Sequence, residues 1–229
     1  MSVVARLRAS TLRLNNIVPM YDAVIDPYCY EGTTILKNIP HIRDQVVLDA
    51  FEAVMTAQRA DERFPEGALD SAHYCAIHRH LFQDIYVWAG EFRTVRIAKE
   101  GSAFCYPEYI AEALNTLFGD LKQENYFLDL SVDDFTNRAS HFLATLNAIH
   151  PFREGNGRTQ TTFLAILADS AEHPLNLERL IPERFMEAMI ASFKGSEESL
   201  TEEIEKLIAK IPEPKKESSG GGDMGGMGY

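Results

Sequence analysis

Nine consecutive residues, His150-Pro151-Phe152-Arg153-Glu154-Gly155-Asn156-Gly157-Arg158, bring together a base, a carboxylate, a glycine-rich turn and an arginine. Each type has a chemical use there. Pro151 disfavours helical angles at the residue before it, so a helix should end at about His150. An imidazole with an unperturbed pKa near neutrality can take a proton from a hydroxyl nucleophile. Gly155-Asn156-Gly157 can adopt the left-handed angles that turn successive N–H groups into one concavity. If a second helix starts there, its unpaired N–H groups extend the same anion cradle, and a polyphosphate is the natural guest. Arg158 offers a planar fork for phosphate oxygens. Glu154 would repel a bare phosphate, but it fits if a divalent cation such as Mg2+ lies between them. The combination points to phosphoryl or nucleotidyl transfer to a hydroxyl. Each piece has a plainer meaning alone: His-Pro is a helix stop, Gly-Asn-Gly a turn, Phe152 a core residue, Arg153 a solvated charge.

Two apolar-periodic segments must position this loop. Phe135, Ala139, Phe142, Leu143 and Leu146 precede it; Phe163, Leu164 and Leu167 follow. The layout is helix, loop, helix, with the chemistry in the loop.

The stretch from His150 through Arg158 resembles the Fic motif, His-x-Phe-x-(Asp/Glu)-Gly-Asn-Gly-Arg-x-x-Arg. Leu81 to Val95, which includes Trp88-Ala89-Gly90-Glu91-Phe92-Arg93, is similar to the segment before that family's substrate-binding flap. Asp26-Pro27-Tyr28 with Gly32-Thr33 looks like its N-terminal lead-in. The resemblance spans roughly residues 20–195 and implies an all-α, Fic-like helical bundle with one small β-hairpin, the flap. It also implies transfer of AMP from ATP to a Ser, Thr or Tyr hydroxyl of a target protein, with Mg2+ required. By this resemblance His150 is the general base, Phe152 anchors the loop and Glu154 holds Mg2+. Gly155, Asn156, Gly157 and Arg158 bind phosphates, and Val95, Arg96, Ile97, Ala98 and Lys99 dock the target.

One position departs from the motif. Its last arginine is Thr161 here, and threonine supplies neither fork nor charge. Either the nucleotide is bound differently, or activity is reduced, or another basic residue compensates. A transferase using another nucleotide or phosphate donor, and a non-catalytic binding module, therefore remain as alternatives. The family's inhibitory pattern, (Ser/Thr)-x-x-x-Glu-(Gly/Asn), has no clean copy, because Ser199 and Glu203 are followed by Ile204. Any control is expected from a separate antitoxin-like inhibitor.

Around this loop the chain divides into an N-terminal segment at 1–20, a Fic domain at 21–195, a charged helix at 196–211 and a disordered Gly/Met-rich tail at 212–229. Arg6, Arg8 and Arg13 among leucines and valines have the pattern of a basic amphipathic helix, but an ordinary packing or partly frayed terminal segment is the plainer reading. Val47, Phe51, Val54 and Met55 mark the inward face of a helix over about 44–62, and Tyr74, Ile77, His78 and Leu81 that of the next. His73, His78 and His80 lack a carboxylate at ligand spacing and are read as core or surface histidines. Phe92 to Ala98 alternates, 99–102 turns and 103–106 continues, which is a β-hairpin pattern. Helices are expected from Pro107 to about Glu124, from Ser131 to His150, and from Pro182 to about Phe193.

The 229 residues carry a net charge of −12 and 45% hydrophobic content. That balance describes a globular protein and excludes general nucleic-acid or acidic-membrane binding. Cys29, Cys75 and Cys105 have no paired spacing and read as reduced thiols. There is no 18-residue apolar run, so no membrane span is expected, nor a classical signal peptide. The expected location is cytoplasmic, with non-classical secretion as an effector left open.

Overall fold

A computed structural model of the chain describes residues 26–99 and 102–208. The expectations for 1–20, for the hairpin turn at 100–101 and for the tail at 212–229 lie outside the described residues, as do positions 209–211 of the segment expected as a charged helix.

Seven α-helices and one two-stranded hairpin occur among the described residues: α1 Gln45–Asp61, α2 Ser71–Phe82, β1 Ala98–Lys99, β2 Ser102–Ala103, α3 Ile110–Gln123, α4 Val132–Ile149, α5 Asn156–Ser170, α6 Pro182–Phe193 and α7 Glu198–Leu207. The all-α bundle with a small hairpin is borne out. Helix α4 is its axis. Ser131 caps it by accepting the N–H of Asp134 at 3.1 Å. Its apolar stripe, Phe135, Ala139, Phe142, Leu143 and Leu146, is buried, and it packs against α3, α5, α6 and α7. Leu200, Ile204 and Leu207 of α7 join the same core. Helix α5 is buried on nearly every side, so its hydroxyls must bond locally. Thr159 and Thr161 donate to the carbonyls of Gly155 and Gly157 at 2.8 and 3.0 Å.

Two expectations are corrected. The inward face of α1 is Leu48, Glu52, Thr56 and Ala60, while Val47 and Val54 are 53% and 55% exposed. Half of that buried stripe is polar because it receives an arginine from α5, described below. The hairpin is also far shorter than its alternation suggested, pairing only Ala98 with Ala103 and Lys99 with Ser102. Phe104 still donates to the Ile97 carbonyl at 3.2 Å, but beyond it the side chain of Arg93 bonds the carbonyls of both arms, Val95 and Cys105.

Candidate active site

Helix α4 ends on His150, which adopts left-handed angles (φ 48°) and donates its N–H to Leu146 at 3.1 Å. Its half-buried ring stacks on Phe104 of the flap's return arm, centroids 4.0 Å apart. Next comes Phe152, fully buried, stacked on His78 at 3.8 Å and on Tyr74 at 5.3 Å. The Asn156 side chain closes the turn: it accepts the Phe152 N–H at 3.0 Å and donates to the Phe152 carbonyl at 2.8 Å. That amide is thus committed to shaping the loop, so Asn156 can serve an anion only through its backbone N–H.

The two glycines differ. Gly155 is the N-cap of α5 at φ +80°, and a Cβ there would lie 2.3 Å from the Phe82 ring. It satisfies both an angle and a close approach. Gly157 is exposed, and a Cβ there would meet nothing within 4 Å. The space beside it adjoins the first N–H groups of α5, which have no partner within the helix. This open space suits phosphate oxygens.

Glu154 lies partly exposed at the loop's outer edge. Its Oε1 accepts the Gly155 N–H at 3.0 Å, and Oε2 is uncommitted among the described residues. Burial and the nearby Glu52 charge push this carboxyl up, against the pull of Arg158. A cation would relieve that strain on the charged form. One carboxylate with a free oxygen beside an anion cradle fits Mg2+, which takes few protein ligands and otherwise substrate oxygens and water.

The structure draws Arg158 inward. It is 7% exposed, pairs through Nη2 with Glu52 of α1, and lies 4.7 Å over the Phe82 ring. Tyr86 donates to the other oxygen of Glu52. Arg158 Nη2 is 4.0 Å from Glu154, so the guanidinium lies between two carboxylates. Arg153, read from sequence as solvated, is corrected: it is 3% exposed and bonded to Asp26 at 2.8 Å, fastening the lead-in to the loop. Thr161 is buried with its hydroxyl turned onto its own helix. In the flap, Arg96 is exposed, Val95 and Ala98 half-buried and Ile97 buried; Lys99 pairs through its backbone.

Three side chains that support the site escaped functional notice in the sequence. His78 accepts the Gly90 N–H at Nδ1, 2.8 Å, so its Nε2–H donates to the Glu154 carbonyl at 3.0 Å. Burial above all, with the Arg158 charge, lowers its pKa to about 3, so it is a neutral strut. The only hint was a histidine amid an aromatic face. Glu52 was signalled by its i,i+4 spacing with Leu48, Thr56 and Ala60. Arg93 was signalled only by its place in an alternating stretch and in the segment that resembles the family's lead-in to the flap. His73 and His80 bond the carbonyls of Pro65 and Arg59 at 2.9 and 2.7 Å, as core or surface histidines do. The three cysteines are free, and burial raises every thiol, Cys75 to about 11, so none is an activated nucleophile.

A helical bundle that sets an imidazole at one helix end and unpaired N–H groups at the next helix start has the parts needed to join a phosphate-bearing donor to an acceptor. Comparison with known proteins gives the class its name. The Fic/DOC family matches residues 68–168. A probable protein adenylyltransferase, y4lH, of Sinorhizobium fredii is 50% identical over 189 residues, which is 82% of this chain and 98% of that protein. A probable protein adenylyltransferase Fic of Salmonella typhimurium is 34% identical over 190 residues, covering 82% and 94%. Among solved structures, the VirB-translocated effector BepC of Bartonella tribocorum with bound AMPPNP superposes with a TM-score of 0.73 at 27% identity, covering 80% of this chain and 97% of that one. The chain belongs to the Fic/DOC family.

Proposed function

We propose that this chain is a Mg2+-dependent protein adenylyltransferase that transfers AMP from ATP to a Ser, Thr or Tyr hydroxyl of a target protein. The observation that carries the reading is the open space at Gly157 beside the first N–H groups of α5, in the same loop as His150. The named relatives, adenylyltransferases matched over most of their length, support it. His150 takes the proton of the target hydroxyl as its oxygen attacks the α-phosphorus. The new O–P bond forms while the bond to the bridging oxygen breaks, and pyrophosphate leaves with that electron pair. Backbone N–H groups of Asn156, Gly157 and Arg158 hold the phosphates. Arg158, gripped by Glu52, contributes charge from beneath the cradle rather than an open fork. Glu154 would hold Mg2+, which when bound neutralises charge on the phosphates. Val95 to Lys99 would present the target as an added strand.

ATP labelled at the α-phosphate should label proteins in a cell lysate, and His150→Ala should abolish the label. Equal labelling by that variant would overturn the assignment. Thr161, with no basic group at the outer phosphate, favours one second reading: a donor other than ATP. GTP, UTP and CTP labelled at the same phosphorus distinguish it. A separate antitoxin-like inhibitor would be found by co-purification from the native source. No helix among the described residues is long and apolar enough to cross a membrane. The proposed location is cytoplasmic, with non-classical secretion as an effector supported by the likeness to a translocated effector.

A further inference from the structure

Arg93 is among the largest fully buried side chains of the molecule, 2% exposed. Burying a guanidinium costs several kcal/mol unless its donors are satisfied. Here they are satisfied by backbone carbonyls of three segments that are distant in function. Nε donates to the carbonyl of His150 at 2.8 Å, and Nη2 reaches that of Ile149 at 3.3 Å. Nη1 donates to Val95 at 2.7 Å on the ascending arm of the flap, and Nη2 also to Cys105 on the returning arm. The backbone N–H of Arg93 donates to Pro151 at 2.8 Å, on the other side of the base. Helix α4 ends at these residues, where carbonyls lack helical partners and carry partial negative charge, so a cation is favoured there. Two further contacts join the same parts: Cys105 N–H to Ala148 at 3.1 Å, and the Phe104 ring on that of His150.

Only a planar fork can serve carbonyls on several sides at once; an ammonium is a single point of donors. An apolar residue of similar volume would fill the space and leave those carbonyls unpaired. The choice of a buried arginine therefore reports a geometric demand: both arms of the hairpin and the backbone of the base are held in one frame.

We propose that Arg93 is the positioning residue that registers the flap to His150, so that a target hydroxyl docked on the hairpin meets the imidazole at reacting distance. The inference rests on the transferase reading above. Arg93 acts through the carbonyls of His150 and Ile149 and touches neither donor nor target. The nucleotide cradle is fastened by other side chains, Asn156 on Phe152 and His78 on the Glu154 carbonyl.

The test is Arg93→Lys in the full chain, with Arg93→Gln as the second variant. At saturating ATP, incorporation of labelled AMP into lysate proteins should fall about 10- to 100-fold, as misplacement of a catalytic group by about 1 Å would cause. The Kd for Mg2+-AMPPNP should stay within about twofold of the parent. Independently of activity, the NMR signals of the His150 ring should move in the variant. Unchanged labelling and unchanged ring signals would overturn the proposal. So would a parallel loss of nucleotide affinity and labelling, or failure of both variants to fold, since either marks a purely structural role. If the parent chain labels nothing, the transferase reading fails; the ring signals then decide Arg93 alone, and no shift overturns it.

Discussion

The Fic-motif loop and the hairpin touch each other, yet they are fastened in opposite ways. Residues 150–158 are tied by a different side chain at almost every step: Arg93 on the His150 carbonyl, Asn156 on both backbone groups of Phe152, Asp26 on Arg153, His78 on the Glu154 carbonyl. The hairpin has two paired positions in each strand and a surface contact at Arg96. The difference matches what the proposed transfer would ask of each. Atoms that gain and lose bonds need geometry fixed in advance, which only buried and hydrogen-bonded supports provide. An edge that receives a strand from another protein needs its own N–H and C=O groups left open. The loop is tied from the interior outward, and the hairpin is joined to it by buried Arg93, the Cys105–Ala148 hydrogen bond and the Phe104–His150 stack.

The largest expected effect tests the loop with the same substitution two residues apart. Gly155→Ala places a Cβ against the Phe82 ring and forces alanine into φ +80°. Left-handed strain and overpacking together should cost about 2–5 kcal/mol, seen as a fall in Tm of roughly 5–15 °C. Gly157→Ala adds a methyl to open space in a helical first turn, so stability should hold or rise by up to about 1 kcal/mol. Its cost should appear as at least about tenfold weaker binding of Mg2+-AMPPNP by calorimetry. Unaltered binding would show that phosphates do not sit beside Gly157, and a Gly155→Ala protein as stable as its parent would show that the loop is not packed onto Phe82.

A smaller effect isolates the His78 strut. Its pKa is about 3 in the folded chain and about 6.5 in the unfolded one, chiefly through burial. Below pH 6.5 the unfolded chain takes up a proton that the folded chain refuses until about pH 3, so acid favours unfolding across that window. Between pH 7 and pH 5 this amounts to about 2 kcal/mol for one such group. His78→Gln should be less stable at pH 7, through a poorer bond to the Glu154 carbonyl. It should also lose about 2 kcal/mol less on acidification to pH 5, measured by urea titration at both pH values. Equal acid sensitivity of parent and variant would mean that His78 is not held neutral.

The same contrast explains what the sequence did and did not disclose. The ends of α4 and α5 were legible because Ser131, Pro151 and Gly155 act on their immediate neighbours. The inward faces of α2 and α4 were legible because their partners are largely apolar. The face of α1 was not, because Glu52 is buried by Arg158, 106 positions away. Arg153 was misjudged for the same reason, its partner Asp26 lying 127 positions away. A charged residue is read as solvated until its counter-charge is located, and local pattern carries no record of that. The hairpin was overlong in the reading because alternation marks extended backbone, whether or not a neighbouring strand is there to pair with it. The Fic motif brought the loop into view as a unit, while its supports, Arg93, His78 and Glu52, stand outside the motif.

The smallest expected effect is on the flap. Arg96 lies 3.3 Å from Glu108 and 4.2 Å over the Tyr106 ring, with side chains 67% and 51% exposed across the ion pair. Exposed pairs of this kind contribute little, because water screens the charges and two long side chains lose freedom to meet. Arg96→Ala should therefore change stability by no more than about 0.5 kcal/mol, plus a similar amount for the lost ring contact. Affinity for Mg2+-AMPPNP should be unchanged, since none of the ties that shape the cradle reaches Arg96. Labelling of target protein is where the change should register, as a several-fold rise in the target concentration needed for half-maximal rate at unaltered kcat. If instead the variant loses nucleotide affinity, or unfolds at a clearly lower temperature, the hairpin is part of the rigid frame and the division between the two regions is drawn in the wrong place.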